Sequence, residues 1–65
     1  MLIELYSMGE FQGYLKSIRN GRIYSTPDKK EAKTYVRKGN AATVVETIQM
    51  MTRGWMFGKI ISMEG

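Results

Sequence analysis

The pair Asn20-Gly21 constrains the fold of this chain more than any other feature of its sequence. Both residues tolerate the positive φ angles of a type I′ turn, which joins two antiparallel strands through two residues. Strand-like segments flank the pair, at residues 11–18 before it and 22–25 after it. The sequence therefore predicts a β-hairpin centred on Asn20-Gly21.

The first strand of this hairpin contains a glycine in its interior. In a regular strand, Tyr14 would lie on the face opposite Phe11 and Leu15, because successive side chains alternate between the faces. Glycine inside a strand is typical of a bulge, or of a place where two backbones come close together. We therefore expect a local irregularity at Gly13.

Two segments outside the hairpin have helical signals. Pro27 suits the first turn of a helix, so a first helix is predicted over residues 27–38 and ends at Gly39. Asn40 then begins a second helix, whose apolar residues recur at helical spacing until Gly54 ends it.

Branched and aromatic residues predict two more strands, at residues 2–7 (LIELYS) and 55–62 (WMFGKIIS). The predicted order is thus β-β-β-α-α-β. It describes a single α+β domain spanning residues 1–65, a small antiparallel sheet with two helices packed on one face. Two helices cannot cover both faces of four strands, so several large side chains are expected on the other face: Tyr6, Met8, Tyr14, Tyr24, Trp55 and Phe57.

The short chain favours self-association. Its 65 residues include neither cysteine nor histidine, so disulfides and Cys/His zinc sites cannot reinforce a small core. In the last strand Trp55, Phe57 and Ile61 share one face, and we expect them to form a homo-oligomer. The alternative is that these side chains fill the core between sheet and helices.

The sequence does not favour an enzyme. Nucleophilic pairs of serine or cysteine with histidine are impossible without histidine, and there is no glycine-rich phosphate loop. The six carboxylates form no close pair in a predicted pocket, and helix capping explains Asp28 and Glu31. We expect no enzymatic activity, no cofactor and no metal from the six acidic residues: Glu4, Glu10, Asp28, Glu31, Glu46 and Glu64.

The net charge of +4 comes from ten lysines and arginines against six acidic residues. Basic residues gather at the tip of the hairpin and, at helical spacing, along the predicted first helix. With the hairpin tyrosine Tyr24 they form the predicted binding surface: Lys16, Arg19, Arg22, Tyr24, Lys29, Lys33 and Arg37.

Three partners fit this surface. The first is an acidic protein, attracted by electrostatic steering. The second is single-stranded nucleic acid, with bases stacked on Tyr14, Tyr24 and Trp55. The third is a small anionic ligand held between subunits by arginines such as Arg19, Arg22 or Arg53. Plain solubility also accounts for lysines on a solvated helix face, so the surface has a non-functional explanation as well.

The hairpin GYLKSIRNGR and the following TPDKKEAKTY resemble segments of small uncharacterised accessory proteins from phages of Gram-positive bacteria. The resemblance covers residues 13–48 and includes a helix of the type D-x-x-E-A-K-x-aromatic. It implies a phage protein that acts by binding, and in some cases inhibiting, a host or defence macromolecule, or by binding nucleic acid.

The chain begins without a basic and long apolar leader, and it has no run of about 18 apolar residues that would span a membrane. We therefore expect a cytoplasmic protein, in the host cytoplasm if a phage encodes it, without a membrane partner. The sequence predicts a self-associating, non-enzymatic binding protein.

Overall fold

The computed structural model describes residues 1–62 of the chain. They form one four-stranded antiparallel sheet and one α-helix, with a short 3-10 turn before the helix. The strand order across the sheet is β3-β2-β1-β4, so β3 and β4 are its edges. The elements in chain order are β1 (Leu2–Ser7), β2 (Glu10–Arg19), β3 (Arg22–Thr26), the 3-10 turn (Lys29–Glu31), α1 (Lys38–Met51) and β4 (Met56–Ile61).

The hairpin predicted at Asn20-Gly21 is confirmed. The φ angles of these residues are 50° and 74°, which is the left-handed conformation that a type I′ turn needs. Arg19 and Arg22 are paired directly next to the turn. A second two-residue turn at Met8-Gly9, again with positive φ at both positions, joins β1 to β2.

The irregularity expected at Gly13 is also present. Its φ of 107° lies in a region that other residues rarely adopt, and an added Cβ would stand 2.9 Å from the carbonyl oxygen of Thr26. Beside it, the register between β1 and β2 shifts, because Leu5 pairs with Gly13 while Tyr6 pairs with Phe11. Glycine is thus needed both for the bulge and for the close approach of β3.

The helix predicted over residues 27–38 is wrong. Over residues 27–37 only the 3-10 turn forms, and Ala32 after it is extended, with a ψ of 148°. The backbone N–H groups of Lys33 and Tyr35 donate instead to the carbonyl oxygens of Leu15 and Met1, at 2.8 and 2.6 Å. The segment has only three apolar residues at helical spacing, Ala32, Tyr35 and Val36, and a helix would bury too little surface through them to compete with these long-range hydrogen bonds.

The second predicted helix exists and is the only α-helix among residues 1–62. It begins before Asn40, with Arg37 at the N-cap position and without a side-chain cap, so Gly39 lies inside the first turn. It ends in a Schellman motif: Arg53 is left-handed, and the Gly54 N–H donates to the Gln49 carbonyl oxygen at 2.8 Å. The α+β class is therefore confirmed, with one α-helix instead of two.

The helix covers one face of the sheet and packs mainly on the β4 side. Ile3, Leu5 and Leu15 from the sheet and Ile48 from α1 are buried at the centre of this face. Gly58 lets the helix approach β4, since an added Cβ would stand 3.1 Å from Cγ2 of Val45 in α1. The opposite face has no helical cover.

Both faces of the last predicted strand are mainly apolar, which is typical of a central strand or of one covered by a partner. In the structure it is an edge strand, paired only with β1 among the described residues. Its pairing runs without a bulge over six consecutive positions, from Met56 opposite Ser7 to Ile61 opposite Leu2.

Candidate binding surfaces

A bulge in β2 exposes the centre of the basic surface. The register between β2 and β3 shifts after Leu15, where Leu15 pairs with Ser25 but Ser17 pairs with Tyr24. Lys16 is the unpaired residue of this bulge and is exposed. A bulge bends its strand and re-aims the neighbouring side chains.

Two adjoining depressions flank this bulged part of β2. The first, of about 410 Å³, is lined by Lys16, Ser17, Arg19 and Tyr24. The second, of about 450 Å³, lies where the hairpin faces the segment after the 3-10 turn and helix α1. Its lining shares three residues with the first depression and consists of Leu15, Lys16, Ser17, Ile18, Arg19, Lys33, Tyr35 and Val44.

Both depressions are electropositive. Lys16 and Arg19 line both of them, Lys33 adds a third positive charge to the second, and neither lining contains a carboxylate. Arg22 is paired opposite Arg19 on β3 and adds charge beside them. Burial raises the pKa of the Tyr35 phenol, which therefore stays protonated at neutral pH and adds no negative charge to the second depression.

The structure brings together most of the predicted binding surface but not all of it. Lys16, Arg19, Tyr24 and Lys33 line the depressions, with Arg22 next to them, as described above. Lys29 lies in the 3-10 turn and Arg37 at the start of α1, and neither lines a depression. Lys29, Lys33 and Arg37 do not form a helical row, because the helix predicted for them is absent.

The uncovered sheet face carries an aromatic cluster, which we define as Tyr6, Phe11, Tyr14 and Phe57. The ring centroids of Tyr6 and Phe11 are 5.7 Å apart, and those of Phe11 and Tyr14 are 5.2 Å apart, both edge to face. Phe57 is paired opposite Tyr6 on β4. Half of the Phe57 surface remains exposed, and nearly half of the Phe11 surface.

Sequence reasoning missed Phe11 in this cluster. Strict alternation placed Phe11 and Tyr14 on opposite faces of β2, but the bulge beside Gly13 inserts one residue and brings them to the same face. The signal was the strand glycine, which indicated the bulge without showing its effect on the register.

One carboxylate lies among these aromatic side chains. Glu4 is paired with Tyr14 on one side and with Lys59 on the other. The Tyr6 hydroxyl donates a hydrogen bond to Glu4 Oε1 at 3.1 Å. This bond to the carboxylate holds the pKa of Tyr6 above its usual value, with smaller contributions from burial and from the negative charge of Glu4.

The predicted self-association residues lie at the exposed edge of the sheet. Trp55 just before β4 is 65% exposed, and Phe57 within β4 is 50% exposed. Ile61 is half-buried and lies on the same uncovered face as Phe57, four residues along the strand. Trp55 is positioned by a hydrogen bond from the Ser7 hydroxyl to its carbonyl oxygen, at 3.2 Å.

Within residues 1–62, no group of three or more carboxylates is arranged to hold a metal ion. Glu64, one of the acidic residues considered from the sequence, lies outside the described residues. No helix in the described part of the chain is long and apolar enough to cross a membrane.

The chain matches no protein-family model, no curated protein and no solved structure. The geometry of its surfaces therefore carries the functional argument.

Proposed function

We propose that this protein is a small, self-associating, non-enzymatic binding protein whose basic depressions take an acidic macromolecule. The observation that carries the proposal is the convergence of Lys16, Arg19 and Lys33 on one depression without a carboxylate in its lining. Arg22 extends the positive surface to the edge of the sheet. Charges of one sign along a concave surface attract partners of the opposite sign and speed their encounter.

Self-association is supported by the side chains that the single helix leaves uncovered. Trp55, Phe57 and Phe11 each expose about half of their surface or more, and they lie on one face or at its edge. Clustered apolar side chains on a small protein are typical of an interaction surface. The resemblance of residues 13–48 to phage accessory proteins supports a host or defence component as the acidic partner, with inhibition as one outcome of binding.

An experiment with a matched control tests the basic depressions. Arg19→Glu reverses a charge that lines both depressions, whereas Lys30→Glu makes the same charge change at an exposed residue outside their linings. With a polyglutamate peptide as the probe, we expect binding at low salt that Arg19→Glu abolishes and Lys30→Glu leaves nearly unchanged. Equal losses in the two variants would show that only net charge matters, and the proposed site would be wrong.

A second candidate partner, single-stranded nucleic acid, is favoured by the first depression. It combines a half-exposed aromatic ring, Tyr24, with the positive charges of Lys16 and Arg19. Stacking of a base on an aromatic side chain contributes about 1–3 kcal/mol, and the phosphates would meet the cations. The volume of about 410 Å³ is of the size of small-molecule binding sites in general.

A labelled oligothymidine distinguishes this partner from an acidic protein. If the depression binds nucleic acid, Tyr24→Leu should weaken binding about tenfold or more by removing the stacking surface. Tyr24→Phe should keep the affinity, because the ring remains. An equal loss in both variants, or no salt-sensitive binding by the unmodified protein, would exclude the single-stranded partner.

A further inference from the structure

The two edges of the sheet differ in how well they resist pairing with another strand. Edge strands expose unpaired backbone groups, which bulges, prolines, charges and short length usually protect. Edge strand β3 has only five residues, starts at Arg22, lies against the bulge at Lys16 and is followed directly by Pro27. It is a protected edge.

The other edge, β4, has almost none of these protections. It pairs with β1 without a bulge, contains no proline and carries a single charge, at Lys59. Helix α1 packs against β4, but β4 has a backbone partner on one side only among residues 1–62. Large apolar side chains, Trp55 and Phe57, stand exposed beside the free side.

We propose that two copies of the chain pair through their β4 strands in antiparallel orientation, related by a two-fold axis. The two four-stranded sheets would then form one continuous sheet of eight strands. The inference rests on the self-association proposed above and specifies which strand and which residues form it. A closed two-fold contact of this kind uses the same edge of both copies and leaves no further free β4.

The alternation of side chains restricts the register of this pairing. Residues directly opposite in an antiparallel pair lie on the same face of the sheet, and side chains alternate between the faces along each strand. Each residue must therefore pair with one an even number of positions away in the sequence. This requires the two-fold axis to pass through a residue that lies opposite its own copy, and not between two residues. The two registers that pair the most residues of β4 have the axis at Gly58 or at Lys59. The register at Lys59 would place two like charges directly opposite, which is destabilising.

The register at Gly58 has complementary neighbours instead. Phe57 lies opposite Lys59 of the second copy, so that the aromatic ring meets the apolar stem and the positive charge of a lysine. Trp55 lies opposite Ile61 of the second copy on the same face. On the helix face, Met56 lies opposite Ile60 of the second copy, and the structure packs both of these residues against the core. The geometry therefore favours Gly58 as the centre.

Disulfide trapping tests the strand and the register together, because the chain has no cysteine of its own. Phe57→Cys and Lys59→Cys are prepared separately and mixed, since opposite residues have Cα atoms about 4.5–5.5 Å apart, within disulfide reach. Both positions are exposed, so each variant should fold. Under mild oxidation we expect the mixture to form a covalent dimer through a disulfide between positions 57 and 59, and each variant alone to form little covalent dimer.

Three other outcomes would contradict the register, the pairing along β4 or self-association itself. Efficient cross-linking of Lys59→Cys with itself would move the axis to Lys59 and contradict the register. A dimeric native mass without cross-links between 57 and 59 would contradict pairing along β4 while leaving self-association intact. A monomeric native mass would contradict both the pairing of two β4 strands and the self-association proposed above.

Hydrogen exchange on the unmodified protein keeps the test independent of the substitutions. Pairing along β4 predicts that amide protection in residues 56–61 rises with protein concentration by more than protection in residues 22–26 does. Protection that is independent of concentration at both edges would contradict pairing along β4.

Discussion

The two faces of the sheet are built from the same strands but have different consequences for the molecule. On the face under α1, Ile3, Leu5 and Ile48 are completely buried and hold the fold together. On the uncovered face, the aromatic cluster is only partly buried, and its Tyr6 hydroxyl donates a hydrogen bond to the carboxylate of Glu4. The single helix covers only one face of this small sheet, so the aromatic cluster on the second face is available for contacts with other molecules.

The largest expected effect is the loss of stability when a buried side chain on the covered face is removed. We expect Ile48→Ala to lower the free energy of unfolding by about 2–5 kcal/mol, because a fully buried side chain is lost and a cavity remains. Phe57→Ala on the uncovered face should lower the unfolding free energy of the monomer by less, about 1 kcal/mol, because half of the Phe57 surface is already exposed. Denaturant unfolding measured at low protein concentration compares the two, and equal losses would contradict the difference between the faces.

The next effect concerns the bulge that assembles the aromatic cluster. Gly13→Ala should destabilise the fold by about 1–3 kcal/mol, since alanine disfavours the positive φ and its Cβ would crowd the Thr26 carbonyl oxygen. Gly39→Ala is the control: its Cβ would meet nothing within 4 Å inside helix α1. There we expect a stabilisation of up to about 1 kcal/mol.

Near-ultraviolet circular dichroism sharpens the same prediction. Gly13→Ala should reduce the aromatic signal of Phe11 and Tyr14, because the bulge brings these rings together. A destabilised variant with an unchanged aromatic signal would show that the cluster does not depend on the bulge.

The smallest effect comes from the hydrogen bond of Tyr6 to Glu4. The pKa of Tyr6 is raised in the folded chain, so its contribution to stability is complete below the unfolded pKa of 10.0 and is lost as the pH rises through the folded value. Tyr6→Phe should therefore remove part of the loss of stability seen at alkaline pH and eliminate one late-titrating phenol from the absorbance titration. If the phenol that disappears titrates at the usual tyrosine pKa and not above it, the hydrogen bond would be contradicted.

Local signals in the sequence predicted much of the fold. The successful predictions concern backbone conformation, which short segments determine by themselves: the turn at Asn20-Gly21, the irregularity at Gly13 and the limits of β1. The helix prediction over residues 27–38 failed because tertiary contacts, and not local signals, determine the structure of this segment. Hydrogen bonds from Lys33 and Tyr35 to distant carbonyl groups outweighed the helix start signal, and no local pattern shows such partners.

The candidate site was predictable to a similar degree. The cations at the hairpin tip are close in sequence, so Lys16, Arg19 and Arg22 were found directly. Lys33 was selected for the wrong reason, because it was expected in a row of cations on a helix. It lines the second depression because its backbone N–H donates to the Leu15 carbonyl oxygen and so holds the segment beside the hairpin. Phe11 was missed because one inserted residue reverses the alternation of a strand, which depends on the pairing with β1.

Native mass measured over a range of protein concentrations decides whether the chain self-associates through its exposed edge. We expect a species of twice the chain mass in the unmodified protein, which Trp55→Ala or Phe57→Ser shifts toward the monomer while the fold is retained. A monomer at every concentration, or an assembly whose mass neither substitution changes, would contradict it.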